Sequence, residues 1–161
     1  PEARFLVCGG ELRGYETYAA GIRQIASSLG LDGRIQFTGW RYRLGDIPEV
    51  MAAIDVLLHP PIRPEPFGLV LVEAMATARP VVASRAGGIA EVVVDGLTGE
   101  LVAPGDWRSA AGAVLRLLAD PSRAHTLGAA GRIRAEKEFE VGAYARRIEA
   151  LYDSLLGEAA T

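Results

Sequence analysis

Cysteine is almost missing from this sequence. Cys8 is the only one in 161 residues, which excludes a disulfide framework and a cysteine-built zinc module. It reads as a small core hydrophobe. The two histidines, His59 and His125, stand far apart without local ligand spacing, and no Asp-x-Asp pair occurs, so no metal site is expected. Lysine is reduced to Lys137, no basic run exists and the net charge is −3, which excludes nucleic-acid binding through phosphate neutralisation. Apolar runs are short beside the ~18 to 20 residues of a bilayer span, and no charged segment leads into an apolar one as in a secretory signal. The chain opens at Pro1 rather than Met, so it is expected to be a piece of a longer protein. What remains is 50% hydrophobic and 23% charged, the balance of a folded globular domain.

Short apolar strands alternate with amphipathic stretches, the pattern of a parallel sheet covered by helices. Strands are expected at 4–8, 35–37, 55–59, 81–84 and 100–102. Helices are expected at 15–29, 47–53, 68–78, 89–94, 107–119, 122–139 and 141–156. Tyr18, Ile22, Ile25 and Leu29 make the apolar stripe of the first helix. Val141, Tyr144, Ile148, Leu151, Tyr152 and Leu155 make that of the last, which is expected to dock on its own domain. Between the third strand and its helix lies a stiff loop with prolines at 60, 61, 64 and 66. The reading is one α/β unit with a helical C-terminal tail.

That loop and helix carry the chemistry. Glu65 sits at the carboxyl end of a strand, the edge at which open α/β sheets bind ligands. Gly68 lets backbone approach a ligand closely. The helix starting there leaves its first N–H groups, those of Phe67, Gly68, Leu69 and Val70, without intrahelical acceptors. With the positive end of the helix dipole they form an anion site suited to phosphate. Glu73, about one turn on, can accept two hydrogen bonds from a vicinal diol. Both carboxylates must then face neutral sugars rather than the phosphate.

The spacing of Glu65 and Glu73, with seven residues between them, resembles the E-x7-E signature of retaining two-Rossmann-domain (GT-B) glycosyltransferases, the group 1 transferases of family 4. Phe67-Gly68 and Glu73-Ala74-Met75 fit it, as do the stretches 79–84, 87–93, 95–102 and 104–106. The resemblance implies a Rossmann-like parallel sheet flanked by helices, lacking the first strand-helix unit of a GT-B C-terminal domain, with residues 1–161 as one nucleotide-sugar donor-binding domain. It places Glu73 on the ribose and Glu65 on the donor sugar as the catalytic residue. The amides of Phe67, Gly68, Leu69 and Val70 fall on sugar and diphosphate, and Gly39, Trp40 and Arg41 along the base. It implies hexosyl transfer from a nucleoside diphosphate sugar to a hydroxyl with retention, no cofactor and no metal. It also implies a missing N-terminal acceptor-binding domain, hence an inactive isolated fragment, and a cytoplasmic protein with room for peripheral membrane association through the absent half.

Rival readings are a non-catalytic nucleotide-sugar-binding or scaffolding domain, and a GT-B-type epimerase or phosphorylase. Arg63 and Arg85 are candidates to replace the family's missing diphosphate-binding cations. Gly87-Gly88 reads either as a tight turn alone or as one that also approaches the diphosphate, Glu91 as a solvated residue and His59 as structural. Where the family has glycine before the Arg79-Pro80 turn, this chain has Ala78; a left-handed conformation there costs about 1 kcal/mol. The glycines of Val7-Cys8-Gly9-Gly10 lack the spacing of a dinucleotide loop and no Gly-Lys-Ser/Thr follows.

Overall fold

A computed structural model of the chain describes residues 3–10, 13–39 and 43–158. They fall into two compact units, Pro1–Ile47 and Pro48–Thr161.

In the first unit, strands β1 (Phe5–Val7) and β2 (Ile35–Phe37) pair in parallel with Phe5 opposite Ile35 and Val7 opposite Phe37. Helix α1 (Glu16–Ser28) connects them, as a parallel pair requires. Its end is a Schellman turn. Gly30, at φ +67°, donates to Ser27 O (2.9 Å), and Leu31 donates to Ala26 O (3.0 Å). Of α1 only Ala26 is buried; Tyr18, Ile25 and Leu29 are 60–69% exposed. The periodic stripe is thus real as a helix signal but has no cover within this unit. Cys8 is likewise exposed, so the expected core cysteine is a surface thiol. A two-stranded sheet with one helix has too little mass to enclose it.

In the second unit, α2 (Ile47–Ala53, all but its first residue) leads to β3 (Leu57–His59), α3 (Leu69–Ala76), β4 (Val81–Ser84), α4 (Ile89–Val92) and β5 (Glu100–Val102). Helices α5 (Trp107–Ala119), α6 (Pro121–Glu138) and α7 (Val141–Glu158) follow. The strands form a parallel sheet in the order β3-β4-β5, with His59 opposite Ala83 and Ser84 opposite Val102. This is the expected α/β architecture. Central β4 is buried at every residue. Its alternate side chains divide between two cores: Val81 and Ala83 pack with Leu71, Met75, Ile89 and Val92, while Val82 packs with Ala113, Leu117 and Leu127.

Two aspartates cap helices. Asp106 accepts from Ser109 N–H (3.0 Å) and Asp120 from Arg123 N–H (3.0 Å), starting α5 and α6. Glycines bring α6 close to α3. A Cβ on Gly128 would overlap Ala78 O, and one on Gly131 would lie 3.2 Å from Met75 Cγ. Helix α7 is tied to the end of α6 by Arg147, which pairs with Glu138 at 2.9 Å. Most of its stripe is uncovered: Val141, Tyr144, Leu151, Tyr152 and Leu155 are 53–77% exposed, and Ile148 alone of the six is half-buried. Periodicity marked the face, but little in this unit receives it.

Candidate functional site: the start of helix α3

The loop after β3 is stitched to the loop after β4. Glu65 bridges Gly87 in parallel, and Gly88 N–H donates to Glu65 O at 2.9 Å. Any Cβ here would collide with backbone: on Gly87 it would sit 2.5 Å from Glu65 O, and on Gly88 it would overlap Pro66 O. The glycine pair therefore has a structural task, the close approach of two loops at the carboxyl edge of the sheet.

Gly68 starts α3 from a left-handed backbone (φ +81°, ψ +62°). It is also where a Cβ would meet Leu71 Cδ1 at 2.9 Å. Leu71 N–H donates to Gly68 O (2.9 Å), and no side chain caps the helix. Among the described residues the N–H groups of Phe67, Gly68, Leu69 and Val70 have no acceptor. Uncapped amides at the positive end of a helix dipole are able to hold an anion.

Glu65 and Glu73 flank those amides. Both are half-buried, and neither carboxylate has a hydrogen bond or ion pair among the described residues. Their structural duties are borne by backbone: Glu65 O takes Gly88 N–H, and Glu73 O takes Thr77 N–H (3.3 Å) and its hydroxyl (3.2 Å).

His59 ends β3. Burial pushes its pKa down from the usual 6.5, with the Glu65 charge pulling the other way, and Nε2 is buried without a hydrogen-bond partner. Its ring stands on the sheet face that carries Val81 and Ala83, a strand-end residue as expected.

Of the two arginines proposed as cations, Arg85 is committed elsewhere, paired with Asp95 at 2.7 Å. Arg63 is exposed and has no ion pair among the described residues. Glu91 is exposed as expected, its carbonyl taken by Arg134 (2.7 Å). Gly39 belongs to the first unit, where it adopts φ +64° and bridges Gly9. Trp40 and Arg41 lie outside the described residues. Sequence reasoning missed Phe139, whose ring meets that of Phe67 at 5.6 Å. Phe139 follows α6 far down the chain, and no local spacing links it to the loop.

No helix of the described residues is long and apolar enough to cross a membrane. Among them no group of three or more His, Cys, Asp or Glu side chains gathers as a metal site.

The family described as Glycosyl transferases group 1 matches residues 1–134. The chain is 46% identical over 105 residues to the alpha-maltose-1-phosphate synthase of Mycobacterium tuberculosis, covering 62% of this chain and 27% of that protein. It is 32% identical over 158 residues to the lipopolysaccharide core biosynthesis mannosyltransferase LpsB of Rhizobium meliloti, covering 97% of this chain and 44% of LpsB. The chain thus spans less than half the length of these curated relatives. In structure it is similar to Anabaena Alr3699/HepE in complex with UDP, with TM-score 0.90 and 34% identity over 96% of this chain and 42% of that one. The same Anabaena protein has been solved with UDP-glucose.

Proposed function

Because this chain belongs to the group 1 glycosyl transferases, we propose that it is the nucleotide-sugar donor-binding part of a retaining hexosyltransferase. The observation that carries the reading is the set of acceptor-free amides at the start of α3, flanked by two carboxylates without partners. The UDP and UDP-glucose bound by the Anabaena relative support it.

In this reading the diphosphate lies against the amides of Phe67, Gly68, Leu69 and Val70. Glu73 accepts from the ribose hydroxyls and Glu65, the catalytic residue, from hydroxyls of the donor hexose. The bond between the anomeric carbon and the diphosphate oxygen breaks, an acceptor hydroxyl forms the new bond on the same face of the sugar, and its proton leaves with the diphosphate. Charge develops on the departing diphosphate, so fixed N–H donors aimed there lower the barrier. No metal or cofactor belongs to this scheme, and EDTA is expected to leave turnover by the full-length protein unchanged. The acceptor-binding half is a separate domain, so the 161-residue chain binds donor without turning it over. The reading assigns the protein to the cytoplasm and leaves any membrane contact to the other half.

Isothermal titration of the chain with UDP-, GDP- and ADP-sugars tests the reading. Saturable binding of one of them, lost on Glu73→Ala, is the expected result; no binding of any would refute it.

A further inference from the structure

Two residues near the end of α6 connect helix α4 and Phe67, on either side of the candidate site. Arg134 donates from Nε to Val92 O (2.8 Å) and from Nη2 to Glu91 O (2.7 Å). It thereby takes the carbonyls at the end of α4, where a cation is favoured. The other end of α4 is Gly88, whose N–H is bonded to Glu65 O. The Arg134 guanidinium also lies 5.6 Å from the centroid of the Phe139 ring. That ring meets Phe67 edge to face, with centroids 5.6 Å apart and planes at 79°. Phe67 immediately precedes Gly68. One arm of this linkage thus ends on the Glu65 loop through α4, and the other on the residue before α3.

We infer that Arg134 and Phe139 are a positioning pair that sets the start of α3 against the Glu65 loop. Neither supplies an N–H group to the anion site; both act through Phe67 and α4. Phe139 also packs against the core around Leu71 and Met75, so simple space-filling is the competing account. The two differ in what they require. Space-filling asks only for apolar volume, whereas positioning through an edge-to-face contact asks for an aromatic ring. That the positioned amides receive a sugar diphosphate rests on the donor-binding reading above.

The test compares Phe139→Leu and Phe139→Tyr in the chain as it stands, by residue-resolved hydrogen exchange and by titration with the sugar nucleotide that the unaltered chain binds. The amides to follow are Leu71, bonded to Gly68 O, and Gly88, bonded to Glu65 O, with Val82 in the middle of β4 as the monitor of global opening. Phe139→Leu is expected to speed exchange at Leu71 and Gly88 more than at Val82. It should also weaken sugar-nucleotide binding about three- to tenfold, and Phe139→Tyr should restore both. Equal acceleration at all three amides, or a leucine variant indistinguishable from the parent in both readouts, overturns the inference. If the parent chain binds no sugar nucleotide while Leu71 and Gly88 still respond to leucine and recover with tyrosine, the donor-binding reading fails and the positioning pair stands.

Discussion

Gly88 and Glu65 are joined by a backbone hydrogen bond of 2.9 Å, the N–H of the first donating to the carbonyl of the second. This bond turns Glu65 from a residue of a proline-rich loop into part of the sheet's upper edge, and it leaves the Glu65 carboxylate out of the framework. The close approach depends on the lack of a side chain at Gly88, whose φ of −69° is open to any residue. Gly88→Ala therefore tests packing alone. We expect it to destabilise by about 1–3 kcal/mol through overpacking against Pro66 O and to weaken sugar-nucleotide binding as the loops separate. Urea unfolding and titration calorimetry measure the two effects.

Glu73 presents the opposite case, since its carboxylate has no partner among the described residues. Glu73→Ala should leave stability unchanged or slightly raised, because alanine is the better helix former. In the full-length protein or in this chain, donor affinity should fall by about 1.5–3 kcal/mol for each charge-assisted hydrogen bond lost. A thermal melt alongside a titration separates these outcomes. A stability loss with unchanged affinity would make Glu73 a structural residue.

Ala78 occupies a position that the chain elsewhere gives to glycine. The Schellman turn ending α3 has Ala78 N–H on Met75 O (2.9 Å) and Arg79 N–H on Ala74 O (2.9 Å). Ala78 sits at φ +56°, the counterpart of Gly30 after α1. The left-handed region costs an alanine about 1–2 kcal/mol, and the greater freedom of glycine in the unfolded chain offsets part of that. Ala78→Gly should therefore raise unfolding free energy by up to about 1 kcal/mol, and Gly30→Ala should lower it by a similar amount. Denaturant midpoints check both.

His59 makes stability depend on pH in a definite direction. Burial holds its folded-state pKa below the 6.5 of the unfolded chain, so as pH falls through 6.5 the unfolded state takes up the proton first and stability drops. The loss continues until pH passes the folded value, below which both states are protonated. Glu65 favours the charged imidazole, so Glu65→Gln should deepen the loss and His59→Gln should abolish it. Glu16, Asp106 and Glu140, each lowered by hydrogen bonds to its carboxylate, contribute stability that disappears only in the more acidic carboxylate range. Urea midpoints between pH 7.5 and 5 isolate the histidine.

Much of this was legible in the residues. The strands at Ile35–Phe37, Val81–Ser84 and Glu100–Val102 and the helices at Ile47–Ala53 and Trp107–Ala119 match their apolar periods and caps residue for residue. These signals are local, arising from side-chain period, capping groups and glycine conformation. The candidate site was legible for the same reason, since Glu65, Gly68 and Glu73 lie within one loop and one helix. The free amides follow from where that helix begins.

What the local signals leave open is the identity of each side chain's partner. The stripes of α1 and α7 are written in the sequence, yet their exposure depends on whether another element faces them. Arg85 had the right charge and place for an anion, and its pairing with Asp95 arises only when the turn before β5 comes up beside β4. The same holds for Phe67 and Phe139, which meet because glycines on α6 admit it close to α3. Sequence by itself thus determined the elements and the free amides at the start of α3, since hydrogen bonding and φ preference act over a few residues. Tertiary structure alone decided which carboxylates stay free and which rings touch, because those contacts join segments separated by whole helices and strands.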